Sequence, residues 1–202
     1  MKIAIYGASG MIGSRVAAEA VSRGHEVVGI TRSGGEQPAG VRAVVGSAND
    51  AAAVKEIASS VDVLVSAIGP SRTGGDPQEF LAAVDNLIAA ADGARLVVVG
   101  GAGSLVANGK RLVDDPEFPE IYKAEALVQS TVLETLRATP AGVDWTLLSP
   151  APVIAPGERT GAFKLGADEP VGGEISAEDY AVALLDELET PANRRRRFTL
   201  AY

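Results

Sequence analysis

A short apolar run ends on a glycine. Two more glycines follow at three-residue intervals, and then a helical pattern. Few folds accommodate that order. Residues 2–23 read KIAIYGASGMIGSRVAAEAVSR. Each glycine answers a separate need: Gly7 permits a tight exit from a strand, Gly10 lets the backbone approach a pyrophosphate, and Gly13 lets the following helix close onto the sheet. The helix N-terminus then offers unpaired N–H groups to an anion. The spacing is G-x-x-G-x-x-G rather than G-x-G-x-x-G, and the strand–turn–helix–strand setting is what gives it weight.

Apolar runs and helical periods alternate along the rest of the chain. Strands are expected at 2–6, 26–31, 41–46, 61–69, 94–101 and 143–150, with a last one in FTLAY at 198–202. Helices are expected at 11–23, 50–59, 76–91, from Pro119 or Glu120 to Ala138, and at 175–189. Asp76, Pro77 and Glu79 form a helix start with a capping box, and Ser176 with Asp179 forms a second. The strands are short and apolar on both faces, as in a parallel sheet covered by helices. The expected fold is an α/β Rossmann-type doubly wound parallel sheet in one domain, residues 1–202. Residues 151–175, rich in Gly and Pro, form an irregular lid on the substrate side.

Composition excludes several classes. The chain has no cysteine and one histidine, His25, so thiol chemistry, disulfides, iron–sulfur ligation and a zinc site are not expected, and no metal is assigned. His25 reads as a surface or strand-entry residue. The net charge of −8 argues against nucleic acid as a partner. No apolar run reaches the roughly 20 residues of a membrane helix, and MKIAIYG is unlike a signal peptide. We expect a soluble cytoplasmic protein. The run Arg194-Arg195-Arg196-Arg197 is the exception to the acidic balance. It reads as a solvated patch, with a subunit contact or an anionic ligand as alternatives.

Cofactor choice is read at the end of the second strand. A carboxylate there would bind the ribose 2′-hydroxyl of NAD. This chain has GITRSGG instead, and Arg32 lies 19 residues beyond Gly13. A guanidinium fork suits a 2′-phosphate, so NADP(H) is favoured over NAD(H).

The stretches YGASGMIGSRV, TRS, SAIGP, VVVGGAGSL, DWTLLSP and ISAEDYAVALLDELE together resemble the atypical short-chain dehydrogenase/reductases. The nearest group is the NAD(P)H-binding, NmrA-like, NADH-flavin reductase group, and the resemblance spans nearly the whole chain. It implies that Gly7, Ser9, Gly10, Met11 and Ile12 cradle the pyrophosphate and that Arg32 holds the 2′-phosphate. It implies that Ser66, Ala67, Ile68 and Gly69 run along the ribose and nicotinamide. Gly101 to Ser104 would face the nicotinamide, and Ser149, Pro150 and Ala151 would touch it through the backbone. Related sequences often carry an Asp after the third strand. Here Ser47 stands at that place, and Asn49 or Asp50 reads as a helix cap.

The larger superfamily carries a Tyr and a Lys four residues apart on one helix. The helix here reads EIYKAEALVQS, with Tyr122, then Lys123, and Ala at position 126. Adjacent helix residues do not face each other. Tyr180, followed by Leu184, does not restore the pair. A ketone reduced by hydride needs a positioned acid, whereas a flavin or quinone spreads the added charge over its rings. The expected function is therefore hydride transfer from NAD(P)H, NADPH foremost, to a flavin or quinone. Ser104 is the expected hydrogen-bond donor near the acceptor, Tyr122 the residual acid, and Phe163 a stacking surface. The alternatives are an NADP(H)-binding redox sensor of NmrA-like type and a nucleotide-sugar epimerase-like enzyme. Oligomeric state is left open.

Overall fold

A computed structural model describes residues 1–71 and 74–202. The chain runs β1 (Lys2–Tyr6), α1 (Met11–Ser22), β2 (Glu26–Thr31), β3 (Arg42–Val45), α2 (Ala51–Ala58), β4 (Val63–Ser66), α3 (Pro77–Ala90) and β5 (Arg95–Val99). It continues through β6 (Val106–Ala107), β7 (Lys110–Arg111), α4 (Glu120–Arg137), β8 (Trp145–Ser149), β9 (Val153–Ala155), β10 (Lys164–Gly166), β11 (Glu174–Ser176), α5 (Ala177–Glu189) and β12 (Arg196–Ala201).

Eight strands form one sheet in the order β10-β12-β8-β5-β4-β1-β2-β3. Every pairing in it is parallel except β10 with β12. The chain leaves β1 in one direction through β2 and β3, then returns to β4 on the other side of β1. That reversal opens a crevice at the carboxyl ends of β1 and β4, where open α/β sheets bind ligands. Register puts Tyr6 opposite Ser66 at its mouth.

Alternation along each strand divides the core. Ile3 and Ile5 of β1 face α1 and α5, packing with Val16, Leu184 and Tyr180. Ala4 and Tyr6 face α2, α3 and α4, packing with Val54, Leu87 and Leu136. This two-sided burial is why the strands are apolar throughout.

The helix starts follow local chemistry. Asp50 accepts from the Ala53 N–H at 3.1 Å, and Asp76 from the Gln78 N–H at 2.9 Å, with Pro77 in the first turn. At α5 the expected capping box is only half formed. Ser176 Oγ accepts from the Asp179 N–H at 3.0 Å. The fully buried Asp179 carboxylate instead accepts from the Thr160 and Gly161 N–H groups, the Thr160 hydroxyl and the Tyr202 hydroxyl. It holds the 157–161 loop rather than its own helix cap.

The irregular segment 151–175 contains three short strands. β9 and β11 pair in parallel, and β10 forms the sheet edge. The expected last strand starts earlier than FTLAY and takes in Arg196 and Arg197. β6 and β7 form a hairpin around Asn108 and Gly109, both at positive φ, as the two-residue turn requires.

Candidate functional site

The glycine turn lies at the mouth of the crevice. Gly7 has φ +84°, and a Cβ there would come within 2.5 Å of the Ala67 carbonyl oxygen. A Cβ on Gly13 would overlap the Gly7 carbonyl oxygen. These two glycines are therefore required by the protein's own packing. Gly10 is different: a Cβ there would meet only the Gly7 oxygen, at 3.2 Å. Gly10 is the N-cap of α1 in extended conformation, with no side-chain cap and no acidic residue in the first turn. By contrast α2, α3 and α5 are capped by Asp50, Asp76 and Ser176. The positive end of the α1 dipole is thus left for an anion. Ser9 and Met11 are exposed beside it, and Ile12 is half-buried and packs on the core.

Four strands end on a buried hydroxyl that has no hydrogen-bond partner among the described residues. These are Tyr6 of β1, Thr31 of β2, Ser66 of β4 and Ser149 of β8. A buried polar group without a partner costs about 1–3 kcal/mol, and four of them stand at the carboxyl ends of strands, the edge at which open α/β sheets bind ligands. Burial, with the Asp50 carboxylate adding to it, pushes the Tyr6 phenol up to about 12. It stays protonated and able to donate. Gln129 of α4 also presents a buried, unpartnered Oε1. A Cβ on Gly101 would sit 3.3 Å from the Gln129 Cβ, and one on Gly69 would sit 3.8 Å from its Nε2. Sequence reasoning missed Tyr6 and Gln129. The tyrosine could have been suspected, since it immediately precedes the first glycine.

The remaining expected residues divide. Arg32 is exposed just past β2 and makes no ion pair among the described residues. The loop beyond it turns back over the glycine turn: a Cβ on Gly35 would touch the Ser9 side chain at 3.1 Å. Ala67 and Ile68 line the β4 exit half-buried, and the Ala67 N–H donates to the Tyr6 carbonyl at 2.9 Å. Ser149, Pro150 and Ala151 are all buried. The Ser149 carbonyl accepts from the Thr199 hydroxyl at 2.9 Å.

Ser104 is already engaged. Its Oγ accepts from Arg197 Nη1 at 3.1 Å, within a tight turn that packs on α4. Tyr122 is 58% exposed on the first turn of α4. Four residues on, Ala126 is buried against Gly103, whose Cβ would lie 2.7 Å from that of Ala126. A lysine there would have no room, so the missing pair is a feature of the packing. Lys123 pairs with Glu120 at 3.6 Å. Phe163, expected as a stacking surface, is partly buried and packs one side against the α1–α5 core cluster.

The arginine run is only in part the solvated patch expected from its composition: Arg194 and Arg196 are exposed. Arg194 pairs with Asp144, Arg195 donates to three backbone carbonyls, and the buried Arg197 pairs with Asp168. His25 bridges to Glu189 at 2.8 Å.

A parallel sheet with a switch point, a glycine cradle and an uncapped helix above it defines a Rossmann-type dinucleotide-binding protein. The chain belongs to the NAD(P)H-binding family, whose model matches residues 7–191. Three solved structures align over essentially the whole chain. A candidate exported protein from Burkholderia pseudomallei is 44% identical, with TM-score 0.89 and full coverage of both chains. A candidate epimerase from Bacteroides thetaiotaomicron is 35% identical, with TM-score 0.88, covering 100% of this chain and 96% of that one. A candidate NADH-flavin reductase from Streptococcus pneumoniae is 32% identical, with TM-score 0.88, covering 99% and 98%. Among the described residues, no helix is long and apolar enough to cross a membrane, and no group of acidic or histidine side chains could hold a metal ion.

Proposed function

We propose that this protein is an oxidoreductase that uses NADPH to reduce a flat conjugated acceptor of the flavin or quinone class. The observation that carries the reading is the pairing of a glycine turn below the uncapped α1 with an α4 on which Ala126 leaves no room for a lysine. The buried hydroxyls and the uncapped α1 fit a dinucleotide. The α1 N-terminus would hold the diphosphate, Ser66 and Tyr6 would meet the ribose side, and Arg32 would meet the 2′-phosphate. Bound there, the nicotinamide would supply the hydride. The protein's part is to place the acceptor and exclude water.

The resemblance to the flavin-reductase-named neighbour supports the acceptor class. The epimerase-named neighbour is slightly more similar. Epimerase chemistry of this fold leans on the Tyr–Lys pair, which the packing around Ala126 excludes. The setting we propose is cytoplasmic, a point that cell fractionation decides, since one neighbour carries the name of an exported protein.

The test is NADPH oxidation followed by absorbance with FMN, a benzoquinone and a simple ketone. Turnover should appear with the first two and be poor with the ketone. A positioned acid contributes about 10²- to 10⁴-fold, so Tyr122→Phe should alter turnover by less than about tenfold. Tight NADPH binding without turnover on any acceptor would overturn this reading in favour of a regulatory dinucleotide sensor.

A further inference from the structure

A cleft of about 360 Å³ lies beside the amino ends of β8 and β12. It is lined by Arg137 at the end of α4, Trp145 at the start of β8, Asp168, and Arg195, Arg196 and Arg197 leading into β12. Four guanidiniums face one carboxylate in a chain whose net charge is −8.

Asp168 is shared. Its Oδ1 accepts from Arg137 Nη2 at 3.0 Å and from Arg197 Nε at 2.7 Å. Arg195 meets no carboxylate among the described residues. Its Nη1 donates to the Pro140 and Val143 carbonyls at 2.7 and 2.6 Å, and its Nη2 to the Thr139 carbonyl at 3.0 Å. Those bonds fix the guanidinium without neutralising it. The backbone at Arg195 is held at φ +56°, a left-handed conformation unfavourable for a residue that carries a Cβ. Arg196 is exposed and has no ion pair among the described residues. Trp145 is buried, and its indole N–H has no acceptor among the described residues.

We propose that this cleft binds a small oxyanion of the phosphate class carrying at least two negative charges, with Arg137, Arg195 and Arg196 as its cationic wall. Guanidinium forks match phosphate oxygens in pairs. The volume falls in the range of small-molecule sites, roughly 300–1,000 Å³, and is too small for a polypeptide segment. Burial lowers the Arg197 guanidinium pKa, a shift that Asp168 only partly offsets, so a further anion nearby is electrostatically welcome. Trp145 opens β8 on the cleft side whereas Ser149 closes it at the cradle end, and Arg197 is the lining residue that reaches back, its Nη1 donating to Ser104 at 3.1 Å.

Trp145 is the only tryptophan in the chain, so its fluorescence reports on this cleft directly. The probe is pyrophosphate, titrated at constant ionic strength into the whole protein and into a Gly10→Asp variant, in which the glycine turn repels anions. A saturable fluorescence change should occur in both. Arg196→Ala and Arg137→Ala remove exposed side chains, and thermal melting verifies that both variants fold. Each should weaken binding by about tenfold or more, the loss of a charge-assisted contact. Lys110→Ala, outside the cleft, should not. A signal lost in Gly10→Asp would place the anion at the glycine turn and overturn the proposal. So would an absent signal, or one equally strong in Arg196→Ala.

Discussion

The two ends of the sheet treat buried polar groups in opposite ways. At the amino end, Arg95 of β5 and Glu187 of α5 form a buried ion pair. Arg95 Nη2 also donates to Thr146 Oγ1 at 2.7 Å, and Nη1 to the Glu187 carbonyl at 2.9 Å. Glu187 Oε2 takes the Ala192 N–H and the Asn193 amide, and Thr146 donates onward to the Asn193 carbonyl. Within that network, among the described residues, only Arg95 Nε lacks a partner, and beside it at the same end the Trp145 indole N–H lacks one too. At the carboxyl end, Tyr6, Thr31, Ser66 and Ser149 are as deeply buried and have none. A saturated network does structural work: it fastens α5 and the 191–193 turn to the sheet. An unsaturated row at a switch point is consistent with binding.

The comparison breaks most visibly at the ion pair. Glu187→Ala leaves Arg95 buried and uncompensated, and removal of one partner of such a pair costs about 3–5 kcal/mol. Urea denaturation should show that loss, while the folded fraction keeps its NADPH affinity. A loss below about 1 kcal/mol would mean that the network is not structural.

Gly10→Asp should have the converse profile. A Cβ there needs the Gly7 carbonyl to shift by only a few tenths of an ångström, and Asp is a good N-cap, so stability should shift by less than about 1 kcal/mol. NADPH affinity should fall by about 100-fold or more, the loss of roughly two charge-assisted contacts. Unchanged affinity in calorimetry would move the site elsewhere.

Arg32→Ala comes next. NADPH should weaken by roughly 10- to 150-fold and NADH hardly at all. An equal loss for both cofactors would remove Arg32 as the reader of the 2′-phosphate.

A matched pair of hydroxyl deletions gives a finer comparison. Thr146→Val should cost about 1–2 kcal/mol, since a satisfied hydroxyl is lost. Ser66→Ala should leave the cofactor-free protein unchanged or slightly more stable, yet weaken NADPH binding severalfold. Equal destabilisation by both would show that Ser66 is satisfied in solution.

The smallest effect concerns pH. Burial works to raise the Asp179 carboxyl, but the Thr160 hydroxyl, the Gly161 N–H and Tyr202 outweigh it and hold it below the usual range. Glu178 is likewise lowered, burial being outweighed by the Gly157 N–H and Arg15, and Glu19 is lowered by Arg159 first. Unfolded carboxylates titrate near 4, so on acidification the unfolded chain takes up protons first. The stability these groups contribute is present above about pH 4 and drains away below it. Melting temperature should therefore fall as pH drops below that point, and less steeply in Asp179→Asn.

Much of the architecture was legible because it is written in local chemistry. The strand β2 and the start of α1 fall where period and glycine spacing place them. The N-G turn between β6 and β7 was equally readable, but two-residue strands leave no periodicity to draw attention to them. Tyr6 and the glycines of the cradle are adjacent in sequence. Gln129 approaches Gly69 and Gly101 only because α4 crosses the ends of β4 and β5.

By itself the sequence determined the helix-opening glycine cradle and the absence of a Tyr-x-x-x-Lys pair, since each depends on residues within about one or two turns of one another, and the alternation of apolar runs with helical periods along the chain foretold a sheet that is parallel except at its β10 edge. Tertiary structure decided what those residues face. It gave Asp179 to a distant loop instead of its own cap, tied Ser104 to Arg197, and set Phe163 against the core. It also gathered arginines from α4 and β12 around Trp145. The physical reason is the same in each case. A side chain's partner is set by which elements the sheet order brings together, and residues such as 104 and 197 meet only after eight strands have found their neighbours.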